Sequence, residues 1–202
     1  MTVDAVIFDW GGTLTRWHDV DFHEEALALA QAVVQTADEP VDLGALAPRL
    51  HEANSAIWGR SRDEQRSSTI GDLFTEAGLD HDPELLHAYY DFWEPHTLTD
   101  PEVRPMFEEL HAAGLKVGVL SNTIWPRAFA AAMEAVGVAD PAACVYVGDR
   151  LFDDVWGAHQ AGMRAVHIPL STIPPGQVGH TAGSPDGVIH ALSELPGVLG
   201  RL

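Results

Sequence analysis

Three short apolar runs, each stopping on side chains that carry chemistry, constrain this chain more than any other feature. Residues 3–8 (VDAVIF) run into Asp9, residues 116–120 (KVGVL) into Ser121-Asn122, and residues 144–147 (CVYV) into Gly148-Asp149. Each run is too short for a core helix and reads as a buried parallel strand. A fourth run, residues 164–168 (RAVHI), has the same character. Helical stretches are expected between them at 105–113, 127–136 and 155–161, ended by Gly114, Gly137 and Gly162. Strands alternating with helices imply an α/β fold, a Rossmann-like parallel sheet covered on both faces.

The alternation is interrupted after the first strand. Phe22, Ala26, Leu29, Ala30 and Val33 recur at helical spacing, and further helices are expected over 43–60, 62–77 and 83–93. No strand pattern lies between residues 16 and 96. The expected organisation is therefore a core of residues 1–15 and 100–202, with an all-helical insert over 16–99. Residues 169–187, rich in Pro, Gly, Ser and Thr, read as a loop, and 188–195 as a last helix on the sheet.

Charge narrows the partners. The 202 residues hold 30 acidic and 11 basic side chains, a formal charge of −19, with Lys116 the single lysine. A nucleic-acid footprint needs clustered Lys and Arg, and an anionic membrane surface would repel this chain. No apolar run reaches the roughly 18 residues of a membrane span, and no basic segment precedes the first apolar run. One cysteine, Cys144, rules out a disulfide framework and fits a reducing, cytoplasmic setting.

The strand ends carry the chemistry. In open parallel sheets, ligands bind outside the carboxyl ends of the strands. There Asp9, Asp149 and the pair Asp153-Asp154 would gather carboxylates with no basic partner nearby. A divalent cation is the natural compensation, and hard oxygen donors select Mg²⁺. Any one of these aspartates would also serve as a turn or helix cap. Their recurrence at successive strand ends is what points to a site.

The ordered set FDWGGTLT, VGVLSNT and VYVGDRLFDDVWGAHQAGMRAVHI resembles the haloacid dehalogenase (HAD) superfamily of hydrolases, with a helical cap inserted after the first motif. The resemblance implies that Asp9 is the nucleophile, attacking phosphorus to form an aspartyl-phosphate, or carbon in the dehalogenases. It implies that Ser121 hydrogen-bonds the transferring phosphoryl group, while Asn122, Thr13 and Gly12 hold the loop or touch substrate. Asp9, the Gly11 carbonyl, Asp149 and Asp154 (with Asp153 beside it) would bind Mg²⁺. A Mg²⁺-dependent phosphatase acting on a small phosphomonoester is the expected activity, in a monomer or homodimer.

Two departures from the family pattern qualify it. The phosphatases carry an aspartate general acid/base two residues after the nucleophile, where this chain has Gly11. Loss of such a group typically costs 10²–10⁴-fold in rate. The third-motif Lys or Arg is also missing. A strand–helix unit of roughly 30 residues is absent between Ser121 and Asp149, by natural deletion or because the segment is left out of this chain. Lys116 stands at the wrong end of its strand to replace that cation, and Arg127 is expected to face water. The alternatives are therefore a catalytically weak or inactive HAD-fold binding protein, and a 2-haloacid dehalogenase.

Overall fold

All four residues of β1 (Ala5–Phe8) are fully buried, as a strand with neighbours on both edges and helices on both faces should be. The computed structural model describes residues 2–64, 68–80, 82–121, 126–170 and 183–202. β1 pairs in parallel with β2 (Lys116–Val119) and β3 (Cys144–Gly148), and β3 with β4 (Arg164–His167). A fifth strand, β5 (Gly187–Val188), adds to β4, giving the order β2-β1-β3-β4-β5.

Alternation along the strands builds two apolar layers. Val6, Phe8, Val145 and Val147 face a layer completed by α5 (Val103–Ala112) and α8 (Leu195–Leu199), through Met106, Leu110, Leu195 and Val198. Ala5, Ile7, Cys144 and Tyr146 face the other, with Phe129 and Met133 of α6 (Pro126–Val136) and Ala158 of α7 (Gly157–Gln160). The Rossmann-like α/β core read from the alternation is present.

The chain divides into two compact units, residues 1–19 with 97–202, and residues 20–96. The second is helical: α1 (Phe22–Thr36), α2 (Leu43–Glu64), α3 (Ile70–Glu76) and α4 (Pro83–Trp93). They share a core around Leu29, Leu46, Leu50, Leu73, Phe74 and Leu85. Trp58 and Tyr90 remain exposed, whereas Tyr89 packs against this core. No helix among the described residues is long and apolar enough to cross a membrane.

Three expectations are corrected. The helix expected from residue 62 does not start there, because α2 continues to Glu64. The next start is set at Thr69, whose side chain and that of Asp72 form a reciprocal capping box. The stretch 188–195 is not one helix: it opens in β5 and reaches α8 only at Leu195, with Pro196 in the first turn. Gly187 allows the close approach of strand to helix, since a Cβ there would meet Val198 Cγ1 at 2.6 Å. The expected helix over 155–161 begins earlier, as a π-helical turn over Leu151–Trp156 that leads into α7. The expected loop 169–187 falls largely outside the described residues.

Candidate active site

Parallel register puts two of the expected carboxylates on adjoining strand ends. Phe8 pairs with Val147, and the Asp9 N–H donates to the Val147 carbonyl at 2.9 Å. Asp9 follows β1 directly, and Asp149 follows β3. The π-helical turn then returns Asp154 to the same point, where its Oδ2 accepts from the Arg150 N–H at 2.8 Å. Gly148 makes room for this return, because a Cβ there would sit 2.2 Å from Asp154 Cγ. One carboxylate oxygen from each of Asp9, Asp149 and Asp154 lies within 4.8 Å of the others.

All three aspartates are buried, and their electrostatics are unfavourable without a cation. Burial, then the charge of Asp149, pushes the Asp9 carboxyl up to about 7, against the opposing pull of Arg150. Burial pushes Asp149 up to about 6. Burial, then Asp9 and Asp149, raises Asp154 well above the usual carboxylate range. Asp149 Oδ2 is buried without a hydrogen-bond partner. A buried carboxylate oxygen without a hydrogen bond, within a cluster of hard oxygen donors, fits a divalent cation such as Mg²⁺.

The other expected residues are distributed around this cluster. Thr13 donates from Oγ1 to Asp9 Oδ2 at 3.5 Å. Gly11 and Gly12 are buried in the turn after β1, Gly12 at φ 83°, a conformation that favours glycine. Ser121 is exposed just beyond β2. It follows Leu120, whose N–H donates to the Phe8 carbonyl at 2.8 Å, so Ser121 belongs to the same rim. Asn122 lies outside the described residues. Asp153 is held at 3.8 Å from Arg150 Nη1. Lys116 donates to the Gly137 carbonyl at the opposite end of β2, and Arg127 is exposed on α6.

Three supporting residues were not anticipated. Tyr146 donates from its hydroxyl to the Leu120 carbonyl at 2.8 Å, fixing the backbone before Ser121. A polar tip in an otherwise apolar buried strand was the signal, since a buried hydroxyl needs a partner. His167 donates from Nε2 to the Asp149 carbonyl at 3.0 Å, and burial lowers its pKa. Arg150 places its Nε 3.7 Å from Asp149 Oδ2. Its position next to Asp149 was visible in the sequence, but the direction of its side chain was not.

Comparison with known proteins agrees with this geometry. Residues 3–125 match the model of the haloacid dehalogenase-like hydrolase family, and residues 125–195 match a HAD-hydrolase-like model. The mouse (Mus musculus) phospholysine phosphohistidine inorganic pyrophosphate phosphatase is 34% identical over 89 residues, covering 44% of this chain and 32% of that protein. The chain thus matches about a third of the length of such curated relatives. Phosphatase MT3486 of Mycobacterium tuberculosis (strain CDC 1551 / Oshkosh) is 27% identical over 98% of both chains. That alignment runs over 232 positions, more than the 202 residues here, so the relative carries residues with no counterpart in this chain. Among solved structures, a 2-haloacid dehalogenase from Pseudomonas syringae pv. Tomato DC3000 superposes with a TM-score of 0.67 at 26% identity, over 99% of each chain. A HAD phosphatase from Thermococcus onnurineus gives 0.65 at 23% identity, over 98% of each chain. With its family model matched across more than half its length and its carboxylates gathered at the strand ends, the chain belongs to the haloacid dehalogenase-like hydrolases.

Proposed function

We propose that this hydrolase is a phosphatase that uses Mg²⁺ and acts on a small phosphorylated molecule, with Asp9 as the nucleophile. The observation that carries the reading is the buried cluster of Asp9, Asp149 and Asp154 within 4.8 Å. Three desolvated carboxyls at one rim have no purpose in folding that an apolar core would not serve better. Asp149, Asp154, one Asp9 oxygen and the Gly11 carbonyl would hold the cation. When bound, it supplies charge neutralisation for the phosphoryl oxygens.

The chain's own residues do the rest. The free Asp9 oxygen attacks phosphorus, forming an aspartyl-phosphate as the leaving group departs. Thr13 fixes the Asp9 carboxylate from Oγ1, and Tyr146 fixes the strand end that presents Ser121 to a phosphoryl oxygen. Water then cleaves the aspartyl-phosphate. The two curated relatives named above are phosphatases, which supports this reading. Residues 16–99 are assigned on the same reading as the family's cap, and the lone buried Cys144 fits a cytoplasmic setting.

The test is phosphate release from para-nitrophenyl phosphate with MgCl2 and with EDTA, for wild type and Asp9→Asn. Turnover that needs Mg²⁺ and Asp9 is expected. Gly11 and the missing third-motif cation favour a second reading, a binding protein without turnover, and absence of release from wild type would select it. Halide release from a 2-haloacid in EDTA would replace the phosphatase by a dehalogenase, the activity named for the Pseudomonas syringae structure.

A further inference from the structure

The space over Gly11 is filled by an indole. A Cβ built on Gly11 would lie 1.7 Å from Trp17 Cε3 and 2.3 Å from Cζ3. The ring therefore rests on the backbone two residues past Asp9, and no larger residue fits beneath it. Arg150 lies over the same ring, its guanidinium carbon 5.8 Å from the centroid, within cation–π range. The guanidinium also reaches Asp149 and Asp153, at 3.7 and 3.8 Å. These contacts hold it beside the carboxylate cluster, while 22% of the side chain remains exposed.

Among the described residues, the side chains at Asp9 are thus the Thr13 hydroxyl, the Asp149 and Asp154 carboxyls and the Arg150 guanidinium, with the Ser121 hydroxyl on the same rim. The two carboxyls are assigned to the cation. Arginine stays protonated at any working pH and is no acid, yet its fork of donors suits an oxyanion. Of these groups, none is left to hand a proton to a departing oxygen, while one can stabilise that oxygen as an anion.

We infer that Trp17 and Arg150 bias this site towards substrates whose leaving groups depart as stable anions, phosphoric anhydrides of the acyl-phosphate or pyrophosphate type above all. The inference rests on the phosphatase reading. As the bond from Asp9 to phosphorus forms, the bond from phosphorus to the leaving oxygen breaks, and its electron pair stays on that oxygen. A carboxylate or phosphate leaves without taking a proton from the protein, its charge facing Arg150. In the second step the water oxygen bonds to phosphorus and the Asp9–phosphorus bond breaks. The electron pair returns to the Asp9 carboxylate, and the water proton leaves on inorganic phosphate or to solvent. That leaving group is again a carboxylate and needs no acid. An alkoxide is too basic to leave either way.

The experiment measures phosphate release by the full chain with MgCl2 from acetyl phosphate, pyrophosphate, a graded series of aryl phosphates and glycerol 2-phosphate. It uses wild type, Arg150→Gln and Arg150→Lys. For wild type, acetyl phosphate should exceed glycerol 2-phosphate in kcat/KM by about 10³-fold, the order of a missing general acid. Across the aryl series, log kcat/KM should fall steeply with leaving-group pKa. Arg150→Gln should steepen that line, because the lost charge matters more as the leaving oxygen becomes more anionic, and Arg150→Lys should restore part of it. A parallel drop for all substrates would make Arg150 a structural prop and overturn its role. Equal turnover of acetyl phosphate and glycerol 2-phosphate would overturn the substrate class and leave the phosphatase reading standing. Release from none of the substrates would remove that reading, and this inference with it. Should Arg150→Gln fail to fold, the wild-type slope and the lysine variant decide the matter.

Discussion

Glu25 lies in the helical unit at 2% exposure, and the exchange Glu25→Gln should make the protein more stable at pH 8 but not at pH 4.5. The carboxylate accepts from Trp93 Nε1 and from Asn54 Nδ2, both at 2.8 Å, so one side chain of α1 ties α4 and α2 together. Burial nevertheless outweighs both hydrogen bonds and pushes its pKa from 4.5 to about 7. A carboxyl whose folded pKa is raised holds its proton more tightly in the folded state. Its contribution is fully present below 4.5, declines as the unfolded chain ionises, and is lost once pH passes about 7. At 1.36 kcal/mol per pH unit, that interval amounts to about 3 kcal/mol. Glutamine stays neutral, still accepts from Trp93, and meets Asn54 through a flipped amide, at a cost of about 1 kcal/mol for imperfect geometry. Urea unfolding at pH 4.5, 6, 7 and 8, followed by Trp fluorescence, should show the variant slightly weaker at pH 4.5. It should be stronger by about 2 kcal/mol at pH 8. The aspartate cluster adds its own pH slope, but equally to both proteins, so the difference between them isolates Glu25. A difference that stays constant from pH 4.5 to 8 would refute the reasoning, because Glu25 would then be ionised in the folded state throughout.

The core and the carboxylate cluster carry three further expectations. Asp154→Asn removes a buried acid whose ionisation burial opposes, so at pH 8 without metal the variant should melt higher than wild type. It should also lose the stabilisation that Mg²⁺ is expected to give wild type, about 2.7 kcal/mol at a hundred times Kd; equal MgCl2 shifts in a thermal melt would sink the metal assignment. Gly148→Ala drives a Cβ to within 2.2 Å of Asp154 Cγ, and should cost about 1–3 kcal/mol together with Mg²⁺ affinity, read by denaturation and titration calorimetry. Phe129 is fully buried against Tyr146, ring centroids 4.8 Å apart. Phe129→Ala should therefore cost about 3–5 kcal/mol, and a loss below 1 kcal/mol by urea unfolding would contradict the packing described.

What the sequence made legible, and what it left hidden, follows from how far each feature depends on distant residues. Asp9 and Asp149 were readable as neighbours because each ends an apolar run, and parallel pairing of such runs brings like ends together. Asp154 was readable as a partner, but the π-helical turn that returns it was not. That turn depends on Gly148 leaving room for the carboxylate, which no local periodicity reports. β5 was missed because two residues show no period, and the true start of α3 because its signal is a capping pair, Thr69 and Asp72, rather than an apolar stripe. Trp17 and Arg150 were the least legible, since a ring from one loop and a guanidinium from another meet only in the fold. Gly11 reads in sequence as a lost acid, whereas in the structure it is the space that an indole needs. The Arg150 guanidinium lies over that ring and beside Asp149, which on the inference drawn above would suit leaving groups that need no proton.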